Sequence, residues 1–148
     1  MARRGWTSGA GSRDERRIVV VTERDWKRLA EAAWKARECA HLVGKTRVGA
    51  AVIDDAGRIH VGCNVEHTFR SHDIHAEVNA IGTMVSRGGH CLRAILVVAE
   101  RNFFTPCGSC MDWIMEIGGP DCIVGFQSSA KSRMKTWKAS ELMPFYPS

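Results

Sequence analysis

Two short motifs carry residue types that can hold a metal ion and move a proton. His75-Ala76-Glu77 and Pro106-Cys107-Gly108-Ser109-Cys110 each lead into a stretch with helical spacing. Imidazole nitrogen and thiolate sulfur are good zinc donors. One His with two Cys fills three tetrahedral positions and leaves the fourth for water, as catalytic zinc sites do. A Cys-x-x-Cys on the first turn of a helix lets both sulfurs converge on one ion, and the positive end of the helix dipole favours thiolate over thiol. Pro106 suits such a start, because its missing N–H costs nothing at the first helical position. Glu77 is two residues from His75, so it need not bind the ion and can instead shuttle a proton beside it. The residues therefore predict Zn2+ as cofactor, His75, Cys107 and Cys110 as its ligands, and Glu77 as the catalytic acid-base. His67 and His72 are the nearest candidates for a fourth ligand that would close the site.

The elements that must position these motifs follow from hydrophobic period and punctuation. Thr22, with Asp25 three residues on, caps a helix predicted over 23–42, with Trp26 and Trp34 on one face. Val48–Ile53 and Arg58–Cys63 read as strands of a hairpin about Asp54-Asp55-Ala56-Gly57. Asp73–Arg87 has helical spacing and stops at Gly88-Gly89. Ala94–Ala99 is a continuous apolar run, as in a strand covered on both faces. Gly108–Ile117 reads as a helix and Cys122–Phe126 as a second buried strand. An edge strand near Met134–Lys138 and a short helix near Ser140–Met143 complete the chain. Strands joined through helices favour parallel neighbours, so the expected fold is α/β: a three-layer α/β/α sandwich with a mixed, roughly five-stranded sheet.

The chain has 148 residues, 45% of them hydrophobic and 25% charged, which excludes disordered and collagen-like classes. No apolar run approaches the roughly 18 residues that span a bilayer. Of 21 basic and 16 acidic residues, five arginines, Asp14 and Glu15 fall within residues 1–17. That Gly/Ser-rich stretch is expected to be a disordered basic leader, ahead of one zinc-dependent domain over 18–148. The body is close to neutral, so a nucleic-acid partner is possible but not favoured. Without an export signal a cytoplasmic, reducing location is expected. Cys39, Cys63, Cys91 and Cys122 then read as small buried hydrophobes rather than disulfide partners.

His-x-Glu followed by Pro-Cys-x-x-Cys is the pattern of zinc nucleobase deaminases. With Arg47–Val52, Val61-Gly62-Cys63-Asn64-Val65-Glu66 and Glu141-Leu142-Met143-Pro144-Phe145, most of residues 22–147 resembles the small, free-nucleoside cytidine deaminases. Blasticidin deaminases are similar in layout but lack the acid of Asn-Val-Glu. The resemblance implies a nucleoside substrate, with Asn64 and Glu66 on the ribose hydroxyl and Ala76 and Thr46 beside the substrate. It also implies a homotetramer or homodimer.

Several positions depart from the family pattern. Tetrameric members carry three Cys ligands and an Arg after the Glu, where this chain has His75 and Val78. Two thiolates and a neutral imidazole leave zinc with no net charge, so no offsetting Arg is required. Leu42–Thr46 replaces Pro-Tyr-Ser-x-Phe, so Thr46 implies a roomier or more polar pocket than the family's Phe. Cys110-Met111-Asp112 replaces Cys-Arg-Gln, and the family's C-terminal aromatic aligns with Pro147, leaving Phe145 or Tyr146 to substitute. Three readings stand at this point. The first is deamination of cytidine, deoxycytidine or a modified cytosine nucleoside to the uracil form plus ammonia. The second is deamination of a cytosine in a polynucleotide, or of another base, with Phe69-Arg70 contributing. The third is a non-catalytic module stabilised by zinc.

Overall fold

The structure, a computed structural model, describes residues 20–147, so the basic leader lies outside the described residues. Helix α1 (Glu23–Arg37) begins with the expected capping box. Asp25 N donates to Thr22 Oγ1 at 3.2 Å, and Thr22 N donates to the Asp25 carboxylate at 3.0 Å. It ends five residues before the predicted 42. There tertiary pairing overrides propensity: His41 leaves the helix to bridge Val65, donating to Asn64 O and accepting from Glu66 N. That turn carries residues 43–46 to the functional end of the sheet.

The strands are β1 (Gly49–Asp54), β2 (Ile59–Cys63), β3 (Leu92–Val98), β4 (Ile123–Gln127) and β5 (Lys135–Lys138), in the order β2-β1-β3-β4-β5. Only β3 and β4 run parallel; the other neighbours are antiparallel, so the sheet is mixed as expected. Helices α2 (Ala76–Ser86), α3 (Gly108–Gly118) and α4 (Ala139–Leu142) complete the elements.

Alternate residues of the central strands feed two cores. Ala51, Ile53, Ala94, Leu96 and Val98 pack with Leu29 and Ala33 of α1, where Trp26 and Trp34 join them. Ala50, Val52, Ile95 and Val97 pack with Ala80, Met84, Met111 and Ile114 of α2 and α3. This is the three-layer sandwich, and it explains why β1 is buried at every position. Of the four isolated cysteines expected to be buried, Cys122 is, whereas Cys63 and Cys91 are half-buried and Cys39 is exposed. Each of these three sits at an element's end rather than in its interior, so the core does not close over it. No helix among the described residues is long and apolar enough to cross a membrane.

Sheet register places the functional end. Gly49 at the start of β1 pairs with Cys63 at the end of β2 and with Val98 at the end of β3. The residues just beyond these three positions, 46–48, 64–66 and 99–101, therefore meet at one edge, at the carboxyl ends of the parallel pair where ligands of such sheets bind. Helix α2 is brought there by a close approach. A Cβ on Gly62 would lie 2.6 Å from Ala76 O and 2.8 Å from the Asn79 carbonyl carbon, so only glycine lets the first turn of α2 rest on β2.

Candidate metal and substrate site

His75 and Cys107 occupy equivalent places, the N-cap residues of α2 and α3, and neither makes a side-chain capping hydrogen bond. Each helix thus forgoes an interaction of about 1 kcal/mol. The two side chains turn instead towards each other and Cys110. His75 Nδ1 lies 3.3 Å from Cys110 Sγ and 3.4 Å from Cys107 Sγ, and the two sulfurs are 3.6 Å apart. Zinc–sulfur and zinc–nitrogen bonds of about 2.3 and 2.05 Å at tetrahedral angles span S···S and S···N edges of about 3.8 and 3.6 Å. The observed triangle matches those edges to within about 0.3 Å, so the donor set fits zinc. Among the described residues it is the group of His, Cys and acidic side chains that converges this way, and neither His67 nor His72 belongs to it. Instead His67 stacks on Phe69, and His72 meets the Phe69 ring edge-on. Pro106 stands one residue before the N-cap, not at the first helical position.

Burial shapes the charge of the site's acids. It pushes the Cys110 thiol up, and the neighbouring Glu77 and Cys107 add to the rise. Glu77, 2% exposed, is likewise raised by burial, against the opposing effects of its backbone bond, His75 and Cys110.

A cleft of about 160 Å³ opens over this centre, lined by Thr46, Asn64, Glu66, His75, Ala76 and Glu77 from the predicted set. It is small beside the roughly 300 Å³ at which drug-sized sites begin, and so suits a compact substrate. Asn64 and Glu66 are buried and heavily committed. Asn64 Nδ2 donates to Thr46 O at 2.9 Å and to Glu66 Oε1 at 3.3 Å, while its Oδ1 accepts from Val48 N at 2.8 Å. Glu66 Oε2 accepts from Val43 N, Gly44 N and Arg70 Nη1 at 2.8, 2.6 and 3.1 Å. The Gly44 amide, Arg70 and the Val43 amide outweigh burial and bring this carboxyl down to about 2. Asn64 can therefore only accept from a ligand, through the second lone pair of Oδ1, and Glu66 through Oε1.

The cleft also holds residues outside that set: Val48, Arg70, Asp73, Ile74, Arg101 and Phe104. For Arg101 and Phe104 the available signal was their place in the loop between the end of a buried strand and the Cys-x-x-Cys helix. Of the two proposed C-terminal aromatics, Tyr146 donates to Asp112 of α3 at 2.7 Å, and Phe145 is 95% exposed.

The family described as the cytidine and deoxycytidylate deaminase zinc-binding region matches residues 23–126. A cytidine deaminase of Mycobacterium tuberculosis is 32% identical over 102 residues, covering 68% of this chain and 77% of that protein. One from Sporosarcina psychrophila is 32% identical over 122 residues, covering 81% and 89%. The solved cytidine deaminase of Burkholderia pseudomallei superposes with a TM-score of 0.74 at 30% identity, over 80% of this chain and 96% of that one.

Proposed function

The chain belongs to the cytidine and deoxycytidylate deaminase family, zinc-dependent hydrolases, and from that premise we propose that it deaminates cytidine, deoxycytidine or a modified cytosine nucleoside. The observation that carries this reading is the buried Glu77 carboxyl placed beside a zinc-shaped donor triangle at the floor of a small cleft.

In this reading His75, Cys107 and Cys110 hold the zinc. When bound, the ion would lower the pKa of water towards neutrality and so supply a nucleophile for C4 of the base. Glu77 takes the proton from the attacking water and delivers it to N3. It then carries a second proton to the departing amino group, so that the C4–N bond breaks and cytidine plus water becomes uridine plus ammonia. Its burial, which raises its pKa, suits a group that must hold and release a proton at each step. The remaining acceptor sites on Asn64 and Glu66 take sugar hydroxyls, Ala76 lies against the base, and Thr46 walls the pocket. Exposed Ile74 in the cleft lining, with exposed Phe69 and Phe103 next in sequence to its Arg70 and Phe104, supports a homotetramer or homodimer.

Zinc-loaded protein incubated with cytidine should release ammonia and uridine in equal amounts. A single-stranded oligonucleotide containing one cytosine should be left intact at both low and high salt. Conversion of the oligonucleotide that weakens steeply with salt, with cytidine untouched, would replace this reading by the polynucleotide one.

A further inference from the structure

Arg101 lies in the loop between β3 and α3 and lines the cleft. Its Nη2 donates to Thr46 Oγ1 at 3.2 Å, and its guanidinium carbon lies 5.7 Å from the centroid of the Phe104 ring. Thr46 and Phe104 both line the cleft, so the cation is held between two of its walls. The backbone oxygen of that same Thr46 accepts from Asn64, which takes a sugar hydroxyl in the nucleoside reading, so that reading sets Arg101 beside the sugar.

What distinguishes Arg101 is its charge balance. Arg70, the other cation lining the cleft, is already paired, 3.1 Å from Glu66 and 3.0 Å from Asp73. Glu100, adjacent in sequence, is drawn away to Arg37 at 3.1 Å. Among the described residues no carboxylate forms an ion pair with Arg101. Nor does the metal centre take up its charge, since two thiolates and a neutral imidazole balance zinc. A guanidinium carries five N–H donors in a planar fork matched to oxyanions, and one of the five is used on Thr46.

Resting on the cytosine-nucleoside reading, we propose that Arg101 is a specificity-determining residue, selecting substrates that carry an anionic oxygen group on the sugar over the neutral nucleoside. A phosphate ester and a sugar carboxylate share this chemistry, and both offer two oxygens to the fork.

The test compares kcat/KM for cytidine, cytidine 5′-monophosphate and a cytidine 5′-carboxylate. It uses zinc-loaded wild type, Arg101→Gln and Arg101→Lys, each first shown to retain its melting temperature. Wild type should favour at least one anion over cytidine, and which anion identifies the source. A charge-assisted pair worth about 1.5–3 kcal/mol corresponds to a preference of about 10- to 150-fold. Arg101→Gln should abolish that ratio mainly through KM, Arg101→Lys should restore part of it, and added salt should erode it in wild type but not in Arg101→Gln. A wild type that turns over cytidine as well as both anions overturns this inference while leaving the nucleoside reading intact. So does an Arg101→Gln that slows all three substrates alike, because that is a structural effect. Absence of turnover on all three by zinc-loaded wild type overturns the nucleoside reading and this inference with it.

Discussion

Gly62→Ala tests whether the packing of α2 on β2 places the metal ligands. The added methyl would stand 2.6 Å from Ala76 O and closer still to Ala80 N, whereas ordinary contact begins at 3.4 Å, so strand and helix must separate there by about 1 Å. The obstacle is backbone, which cannot swing aside as a flexible side chain would. His75 is the N-cap of that same helix turn, and its Nδ1 is held 3.3 and 3.4 Å from the two sulfurs. Metal–ligand distances tolerate about 0.2 Å, and a misplacement near 1 Å can cost about 100-fold in rate. The substitution should therefore do two things together. It should cost about 1–3 kcal/mol, lowering the melting temperature by about 2–12 °C, and it should weaken both zinc retention and deamination by about 100-fold. Gly82→Ala is the control, since Gly82 lies in the same helix with nothing within 4 Å of a new Cβ. It should leave zinc content unchanged and raise stability by about 0.5–1 kcal/mol through helix propensity. Thermal unfolding, zinc titration with a chromophoric chelator and loss of cytidine absorbance read all three. A Gly62→Ala protein that melts like wild type and keeps its zinc and its rate would refute the reasoning.

Removing zinc should lower the melting temperature reversibly: free zinc at 100 times its Kd stabilises by about 2.7 kcal/mol, or about 5–11 °C, and calorimetry with and without chelator measures it. Glu66 is held down to about 2 by the Gly44 amide, Arg70 and the Val43 amide, below its ordinary value of 4.5. A lowered folded-state pKa contributes stability above about 4.5 and loses it as pH falls towards 2, so the stability gap between wild type and Glu66→Gln should be constant near neutrality and shrink across that interval in acid. At the opposite end of the hairpin, fully buried Asp54 accepts from Ala56 N, Arg58 N and Arg58 Nε, and His60 Nε2 lies 3.0 Å from its carboxylate. Asp54→Ala should cost about 3 kcal/mol or more by stranding those partners, with zinc content and the rate per folded molecule preserved. Trp34 Nε1 donates to Gln127 Oε1 at 2.7 Å, tying α1 to β4, so Trp34→Phe should lower stability by about 1 kcal/mol in denaturant titration.

Local signals in the sequence carried the ligand triad, the capped first helix, the hairpin and the doubly covered strand. Each is built from spacing within a short segment, and the triad from two such segments: Cys-x-x-Cys on one helical turn with His-x-Glu ahead of it, Thr22 with Asp25, an unbroken apolar run. What the sequence hid depends on segments far apart. The end of α1 at Arg37 is dictated by the pairing of His41 with Val65, which no helical period reports. Asn64 and Glu66 stand out through resemblance, which implies a sugar-binding role, but their commitment to the 43–48 backbone arises only when the chain closes on itself. Arg101 meets Thr46 across 55 residues. The rise of the Cys110 thiol has the same origin, since burial and the Glu77 carboxyl reach it from outside its own helix.

The central claim is that Glu77 moves the protons of a hydrolytic deamination beside a zinc held by His75, Cys107 and Cys110. Its most direct test is the rate of cytidine-absorbance loss for wild type and Glu77→Gln, each loaded to one zinc per chain. The account predicts a variant that keeps its metal and loses about 100- to 10,000-fold in rate. A fully zinc-loaded Glu77→Gln that works at the wild-type rate would contradict it.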